Sequence, residues 1–331
     1  MKISKIILRK QFDGFPKESD FELVEEDLGD DLKDDEFFFE ALYISCDPYI
    51  RILAPSYKEG ETVIPGYQLS RVTKSNNSKY PVGSILVTGA GWRTGGKSSG
   101  VGPEGVWYER NDLPKNVPQS AGVGIFAMTG LTACYGVEYV LKPKKGETLF
   151  VSASAGAVGN IAGQIGKILG CRVVGSCGSD EKIKYVKSIG FDDAFNYKTE
   201  SVEEGLKRVA PEGVDLYFDN VGGDFASAVL KQMNRKGRIA VCGMLSSYNE
   251  KEPRAHVIQQ TMFMKSLLMQ GFNIFADIPP YNEEIYKKLK KWAEEGKLKQ
   301  YESISEGFKN LPSTFIGMLC GKNLGKTIVK L

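Results

Sequence analysis

The stretch VSASAGAVGNIAGQIGKILG, Val151 to Gly170, governs how the rest of the chain is read. A β-type run, Leu149–Ser152, leads into it. Ile161, Ile165, Ile168 and Leu169 then recur at helical spacing on one face. Strand, glycine-rich turn and helix are the context of the dinucleotide fingerprint G-x-G-x-x-G. Here the pattern is Ser154-x-Gly156-x-x-Gly159, with serine in the first glycine position. Gly156 and Gly159 keep the two places where backbone approaches a pyrophosphate and where helix packs on strand. With Ala157 and Val158 between them, they put orphan N–H groups at a helix start, where phosphates bind. Only the tight-turn glycine is replaced. Gly163 and Gly166 inside the helix each cost about 1 kcal/mol relative to alanine, which close packing on a sheet would explain.

Moving outward, the pattern alternates from Ala121 onward. ETLFVSA, CRVVGSC, DAFN, VDLYFDN, RIAVCG and LLMQGFNIF read as six strands. Helical stretches at 159–169, 180–189, 200–209, 222–233 and 256–266 separate them, and EEIYKKLKKWAEEGKLK adds another. Alternation of this kind means βαβ units and a parallel sheet with helices on both faces. Six strands in series suit a doubly wound Rossmann sheet. The first 120 residues differ. ISKIIL, EFFFEALYIS, SRVTK, SILVTG and GVWYER are separated by Gly, Pro, Asn and charged turns, which predicts a mostly β domain. The tail from Tyr301 returns to strand–helix–strand and is expected to rejoin it. The predicted class is α/β, with a β domain over 1–122, a Rossmann domain over 123–297 and a return segment over 298–331. The acidic run 22–36 and the lysines of 287–299 read as solvated faces.

The fingerprint's second half is an acid about 20 residues on, at the tip of the second strand, for the adenosine ribose. That strand here ends in Gly178-Ser179. Asp180 and Glu181 follow, then Lys182. A small hydroxyl residue with a lysine one helical turn away suits a 2′-phosphate, so the pattern favours NADP(H). Asp180 or Glu181 reaching the ribose would favour NAD(H) instead.

Composition narrows the classes. The chain has 331 residues, 42% hydrophobic and 25% charged, with 43 Lys+Arg against 41 Asp+Glu. A net charge of +2 offers no basic footprint for nucleic acid. The six cysteines, Cys46, Cys134, Cys171, Cys177, Cys242 and Cys320, form no C-x-x-C pair. That usage suits reduced thiols and a cytoplasmic protein. MKISKIILRKQF does not read as a signal peptide, and no apolar run approaches the roughly 20 residues of a membrane span.

DPYIR (47–51), MTGLTACYG (128–136), VSASAGAVG, GCRVVGSCGSDEK (170–182), GFDDAFNYKT (190–199), FDNVGGDF (218–225), MQGF (269–272) and GKNLGKTIV (321–329) together resemble the medium-chain dehydrogenase/reductase superfamily. More narrowly, they resemble its zinc-independent, NADP-dependent prostaglandin and alkenal reductases. The resemblance implies a GroES-like catalytic β domain built from both chain ends around a Rossmann domain. It implies cofactor contacts at Gly156, Ala157, Val158 and Gly159, at Ser179, Lys182, Tyr197 and Asn220, and at Cys242, Gly243, Met244 and Tyr248. Phe272, Asn273, Ile274 and Asn323 complete that set. It further implies a homodimer through the LLMQGFNIF strand.

A catalytic zinc needs three protein ligands, typically Cys and His. The chain has one histidine, His256, far from Cys46 in sequence, and no cysteine quartet, so no metal is expected. Without a Lewis acid, a conjugated enone or enal is an easier substrate than a simple ketone. Hydride goes to the β-carbon, charge collects on an enolate oxygen, and donors aimed at that oxygen suffice. Tyr49 in DPYIR and Tyr248 in LSSYN are the catalytic candidates. The related reductases often carry a tyrosine before MQGF; here Phe263 and Met264 stand in that stretch, so the pocket wall differs. A zinc-free quinone oxidoreductase and a non-catalytic NADPH-binding protein are the competing readings.

Overall fold

FFFEALYIS makes a central strand because its aromatic and branched residues can be buried on both faces of a sheet. The computed structural model describes residues 1–102, 105–250 and 256–331. These divide into two units, Met1–Ala127 with Glu302–Leu331, and Met128–Tyr301. The first unit begins with β1 (Lys2–Leu8) and β2 (Phe21–Asp27), an antiparallel pair. Next come β3 (Phe37–Ser45), a short helix α1 (Tyr49–Leu53), β4 (Gln68–Ser75), β5 (Ile85–Thr88), β6 (Gly95–Ser98) and β7 (Val106–Glu109). Phe37 and Phe39 pack with Val72, Tyr80 and Leu86. Ile44 and Cys46 pack with Ile6, Ile50, Trp92 and Phe315. Strand β3 thus separates two apolar clusters.

The second unit alternates as predicted. It contains α2 (Met128–Tyr135), β8 (Thr148–Val151), α3 (Ala157–Ile168), β9 (Arg172–Cys177), α4 (Asp180–Ser188), β10 (Asp193–Asn196), α5 (Val202–Val209), β11 (Val214–Asp219) and α6 (Gly223–Leu230). Then follow β12 (Met233–Val241), α7 (Gln259–Lys265), β13 (Leu268–Gly271) and α8 (Asn282–Glu294). The sheet order is β10-β9-β8-β11-β12-β13, and every neighbouring pair is parallel. Strand order reverses between β8 and β11, so the carboxyl ends of those strands flank the crevice where such sheets bind ligands. One core cluster of this unit joins Phe150, Val174 and Phe195 to Tyr217, Val229 and Ile239.

Two expectations are corrected. The helix expected over 222–233 stops at Leu230, and Met233 already pairs with Val214. Lys236 takes a left-handed φ of 64°, a turn within β12 before the apolar run that looked like the whole strand. The strand expected over 267–275 is only Leu268–Gly271. Beyond it Asn273 caps itself: its N–H donates to Asp277 Oδ2 at 2.6 Å, and its Oδ1 accepts from the Phe275 N–H at 2.8 Å. Side-chain bonds of this kind compete with a strand ladder.

The tail adds β14 (Glu302–Glu306), α9 (Leu311–Leu319) and β15 (Lys326–Lys330) to the first unit. Its main sheet runs β14-β15-β3-β4-β5-β7, with β6 also paired to β3. Where β15 meets the end of β3, Lys326 is buried, 2% exposed. Its Nζ donates to Asp47 Oδ1 at 3.0 Å and to the carbonyls of Cys46 and Thr327 at 2.9 and 3.2 Å. Asp47 Oδ2 accepts from the Ser45 hydroxyl at 2.6 Å. This network fixes the chain just before Tyr49. Lys326→Ala is expected to cost about 3–5 kcal/mol, because it leaves a buried carboxylate without its partner. Lys326→Met combined with Asp47→Leu should lose much less. Urea unfolding of the three proteins checks this; equal loss in both variants would mean the pair matters only as packing volume.

Candidate active site

The serine in the first glycine position is explained by a one-residue offset. The left-handed turn residue is Ala153, at φ 50°, not Ser154. Ser154 is therefore free to bond across the sheet. Its hydroxyl donates to the Val151 carbonyl at 2.7 Å and accepts from the Ser176 N–H at 2.9 Å. Its own N–H donates to the Ser176 carbonyl at 3.0 Å. The serine stitches β8 to β9 beneath the turn. Gly156 is the N-cap of α3, in extended conformation at φ −77°. Ala157, Val158 and Gly159 follow as the first turn, whose N–H groups have no intrahelical acceptor. A Cβ on Gly159 would collide with the backbone of Ala153 and Ser154. One on Gly163 would strike the Phe191 ring, and one on Gly166 would lie 2.6 Å from Leu149 Cδ2. The helix glycines are the places where α3 touches its neighbours.

At the tip of β9, Ser179 caps α4, its hydroxyl accepting from the Lys182 N–H at 3.3 Å. Tyr197 follows β10, and its N–H bonds the Cys177 carbonyl at 3.1 Å. A Cβ on Gly178 would stand 2.9 Å from the Tyr197 hydroxyl, so that hydroxyl lies directly over the strand tip. Asp180 is turned aside, its Oδ1 accepting from Asn196 Nδ2 at 3.0 Å. Burial lowers the Lys182 ammonium from its ordinary pKa, and the nearby positive charge of Lys198 lowers it further. An anion here would relieve both. Sequence reading passed over Lys198; its signal was a second cation adjacent to Tyr197.

Further along the same edge, Asn220 is nearly buried and its Nδ2 donates to the Ser152 carbonyl at 2.7 Å. One of its two side-chain N–H donors is thus spent on the fold. Cys242 and Gly243 leave β12 with both N–H groups on the Asp219 carbonyl. The Tyr248 hydroxyl folds back to accept from the Met244 N–H at 3.3 Å, and burial pushes its pKa up. Phe272 packs against Tyr135 and Phe218, with ring centroids 5.7 and 6.3 Å away. Asn273 caps the end of β13 and Ile274 is half-buried beside it. The second unit thus collects most of the expected residues along the carboxyl ends of β8 to β13.

Tyr49 and Asn323 belong to the first unit. Asn323 Nδ2 bonds the Gly325 carbonyl at 3.0 Å. Burial raises the Tyr49 phenol well above its usual pKa, and Asp47, Tyr67 and Tyr57 add to the effect. Tyr49 is therefore a neutral hydrogen-bond donor. The Cys46 thiol is likewise pushed up to about 12 by burial. Among the described residues no three His, Cys, Asp or Glu side chains gather as a metal-ligand set. Where Cys46 stands, the ammonium of Lys326 already supplies the local positive charge. That donor set does not fit zinc.

Comparison with known proteins follows from this geometry. A family model described as zinc-binding dehydrogenase matches residues 157–294, and one described as the N-terminal domain of oxidoreductase matches residues 4–106. The chain is 47% identical to prostaglandin reductase 1 of Bos taurus over 325 residues, which covers 98% of this chain and 97% of that protein. It is 38% identical to the NADP(+)-dependent 2-alkenal reductase of Nicotiana tabacum, covering 98% and 96%. Among solved structures it is similar to CurA of Vibrio vulnificus in complex with NADPH, at TM-score 0.88 and 33% identity, covering 99% and 98%.

The tight crossing of α3 over β8 gives a direct test. Gly159→Ala places a methyl group against backbone that cannot yield, and overpacking costs about 1–3 kcal/mol. Dinucleotide affinity should fall by about tenfold or more, read by titrating nucleotide fluorescence. Unchanged affinity would mean that the turn does not receive the phosphates.

Proposed function

The chain belongs to the prostaglandin reductase 1 family of medium-chain dehydrogenases/reductases, and from that premise we propose that it reduces the conjugated carbon–carbon double bond of α,β-unsaturated ketones and aldehydes with NADPH. The observation that carries this is near-full-length identity to both a prostaglandin reductase and a 2-alkenal reductase. NADPH supplies the hydride. The chain's residues supply binding and charge stabilisation. The N–H groups of Ala157, Val158 and Gly159 hold the pyrophosphate at the helix start, with Gly156 letting the backbone approach it closely. Ser179, Lys182 and Tyr197 hold the 2′-phosphate, with Lys198 adding positive charge. Asn220, Cys242–Met244, Tyr248 and Phe272–Ile274 shape the surface for the rest of the cofactor, and Asn323 of the first unit is a cofactor contact that the family resemblance implies. Tyr49, whose phenol is protonated at neutral pH, donates to the carbonyl oxygen of the substrate as negative charge collects there. A hydride on the β-carbon and a proton drawn from water on the α-carbon complete a saturated carbonyl. Tyr248 positions; its hydroxyl oxygen accepts from the Met244 N–H within its own loop, and its O–H remains a donor.

The protein is further proposed to be a cytoplasmic homodimer. All six cysteines are free, as a reducing compartment requires. No helix among the described residues is long and apolar enough to cross a membrane. Among the described residues strand β13 has only β12 beside it, and Phe263 on α7 and Leu268 on β13 are 79% and 57% exposed. An apolar edge of this kind calls for a partner strand.

With NADPH and a simple 2-alkenal, the expected product is the saturated aldehyde. Mass and NMR analysis showing an allylic alcohol would overturn the assignment, and turnover of quinones alone would favour the quinone reductase reading.

Cofactor choice is tested at Lys182. A charge-assisted contact contributes about 1.5–3 kcal/mol, and 1.4 kcal/mol is about tenfold in affinity. Lys182→Ala should weaken NADPH binding by about tenfold or more and leave NADH binding nearly unchanged. Equal loss for both would make Lys182 a folding residue.

A further inference from the structure

The end of β11 carries a buried carboxylate with no part in the chemistry above. Asp219 is 3% exposed. Its Oδ1 accepts from the Tyr217 hydroxyl at 2.7 Å and from the N–H groups of Val221 and Gly222 at 2.9 Å each. Those two bonds set the turn 219–222, in which Gly222 takes a φ of 69° that disfavours other residues. Three successive carbonyls of that turn then receive the loop after β12. Asp219 O accepts from Cys242 and Gly243 at 2.8 and 3.1 Å, and Asn220 O accepts from Leu245 at 3.1 Å. Val221 O accepts from the Ser246 N–H at 3.0 Å and from its hydroxyl at 2.7 Å. The segment 242–246 therefore hangs on a turn that one carboxylate shapes.

The same turn is tied to the phosphate loop. Ser152 Oγ accepts from the Asn220 N–H at 3.0 Å and lies 3.3 Å from the Tyr217 hydroxyl. The tip of β9 has its own supports, Ser179 and Tyr197, and draws on none of these bonds.

We infer that Asp219 is the positioning residue for the nicotinamide half of the cofactor surface, acting through the 219–222 turn on the segment Cys242–Ser246 and not on the 2′-phosphate end. This rests on NADPH being the cofactor. A carboxylate suits the task because it only accepts, and three donors converge on it. An amide there accepts more weakly and brings two N–H donors into a buried space.

The test separates the two halves of the cofactor by using adenosine 2′,5′-bisphosphate, which lacks the nicotinamide half. Kd values for this probe and for NADPH are measured on the full chain by calorimetry. Asp219→Asn should weaken NADPH by about tenfold and change the bisphosphate less than about twofold. Tyr217→Phe removes one donor and keeps the ring, so it should show the same split at about threefold; it decides the matter if Asp219→Asn does not fold. Equal weakening of both ligands, or of neither, overturns the inference. Wild-type protein that binds neither ligand would instead overturn the NADPH assignment itself.

Discussion

The nucleotide edge depends on how the chain crosses from β8 into α3 in a space without room for side chains. Parallel strands about 4.8 Å apart and a helix lying on them leave the returning backbone pressed against its own turn. Ala153 takes the left-handed strain, which costs about 1–2 kcal/mol for a residue with a Cβ. Ser154 offsets it by bonding to both β8 and β9. The Gly156 N–H closes the turn on the Ala153 carbonyl, and the next three N–H groups, those of the first turn of α3, have no acceptor within the helix.

Buried charge in each unit is matched by donors or acceptors, and its role is to hold backbone in place. In the first unit Lys326 and Asp47 lock the segment ahead of Tyr49. In the second, Asp219 gathers three donors and shapes the turn that carries the loop after β12. Buried ion pairs and carboxylates add little net stability compared with apolar residues of similar size. Their value lies in allowing a single arrangement, since a buried charge without its partners is costly. At the tip of β9 the balance is different: burial lowers the pKa of the Lys182 ammonium and the positive charge of Lys198 lowers it further, an effect that a doubly charged phosphate would oppose.

The architecture was legible in the sequence because periodicity and glycine spacing are local properties. Alternation of strand and helix from Ala121, the six strands in series and the pair Gly156 and Gly159 all follow from patterns within about 20 residues. The handedness of βαβ crossovers then narrows the possible topologies, and the strand order itself is read from the structure. Boundaries were less legible where side chains compete with the ladder. Asn273 ended β13 early through its own bonds, and a left-handed Lys236 let β12 begin at Met233.

The sequence by itself determined that a small residue, a hydroxyl and a lysine stand at the tip of the second strand, and that the chain holds a single histidine. Only the tertiary structure decided what those groups face. It turned Asp180 onto Asn196, laid the Tyr197 hydroxyl over Gly178, and moved the turn's strained residue from Ser154 to Ala153. It also found partners for Ser152, which follows β8, and for Tyr217 and Asp219 of β11. The physical reason is range. Strand and helix periods are set by neighbours along the chain, whereas a hydrogen bond between Ser152 and Asn220 exists only after two strands 68 residues apart are placed side by side.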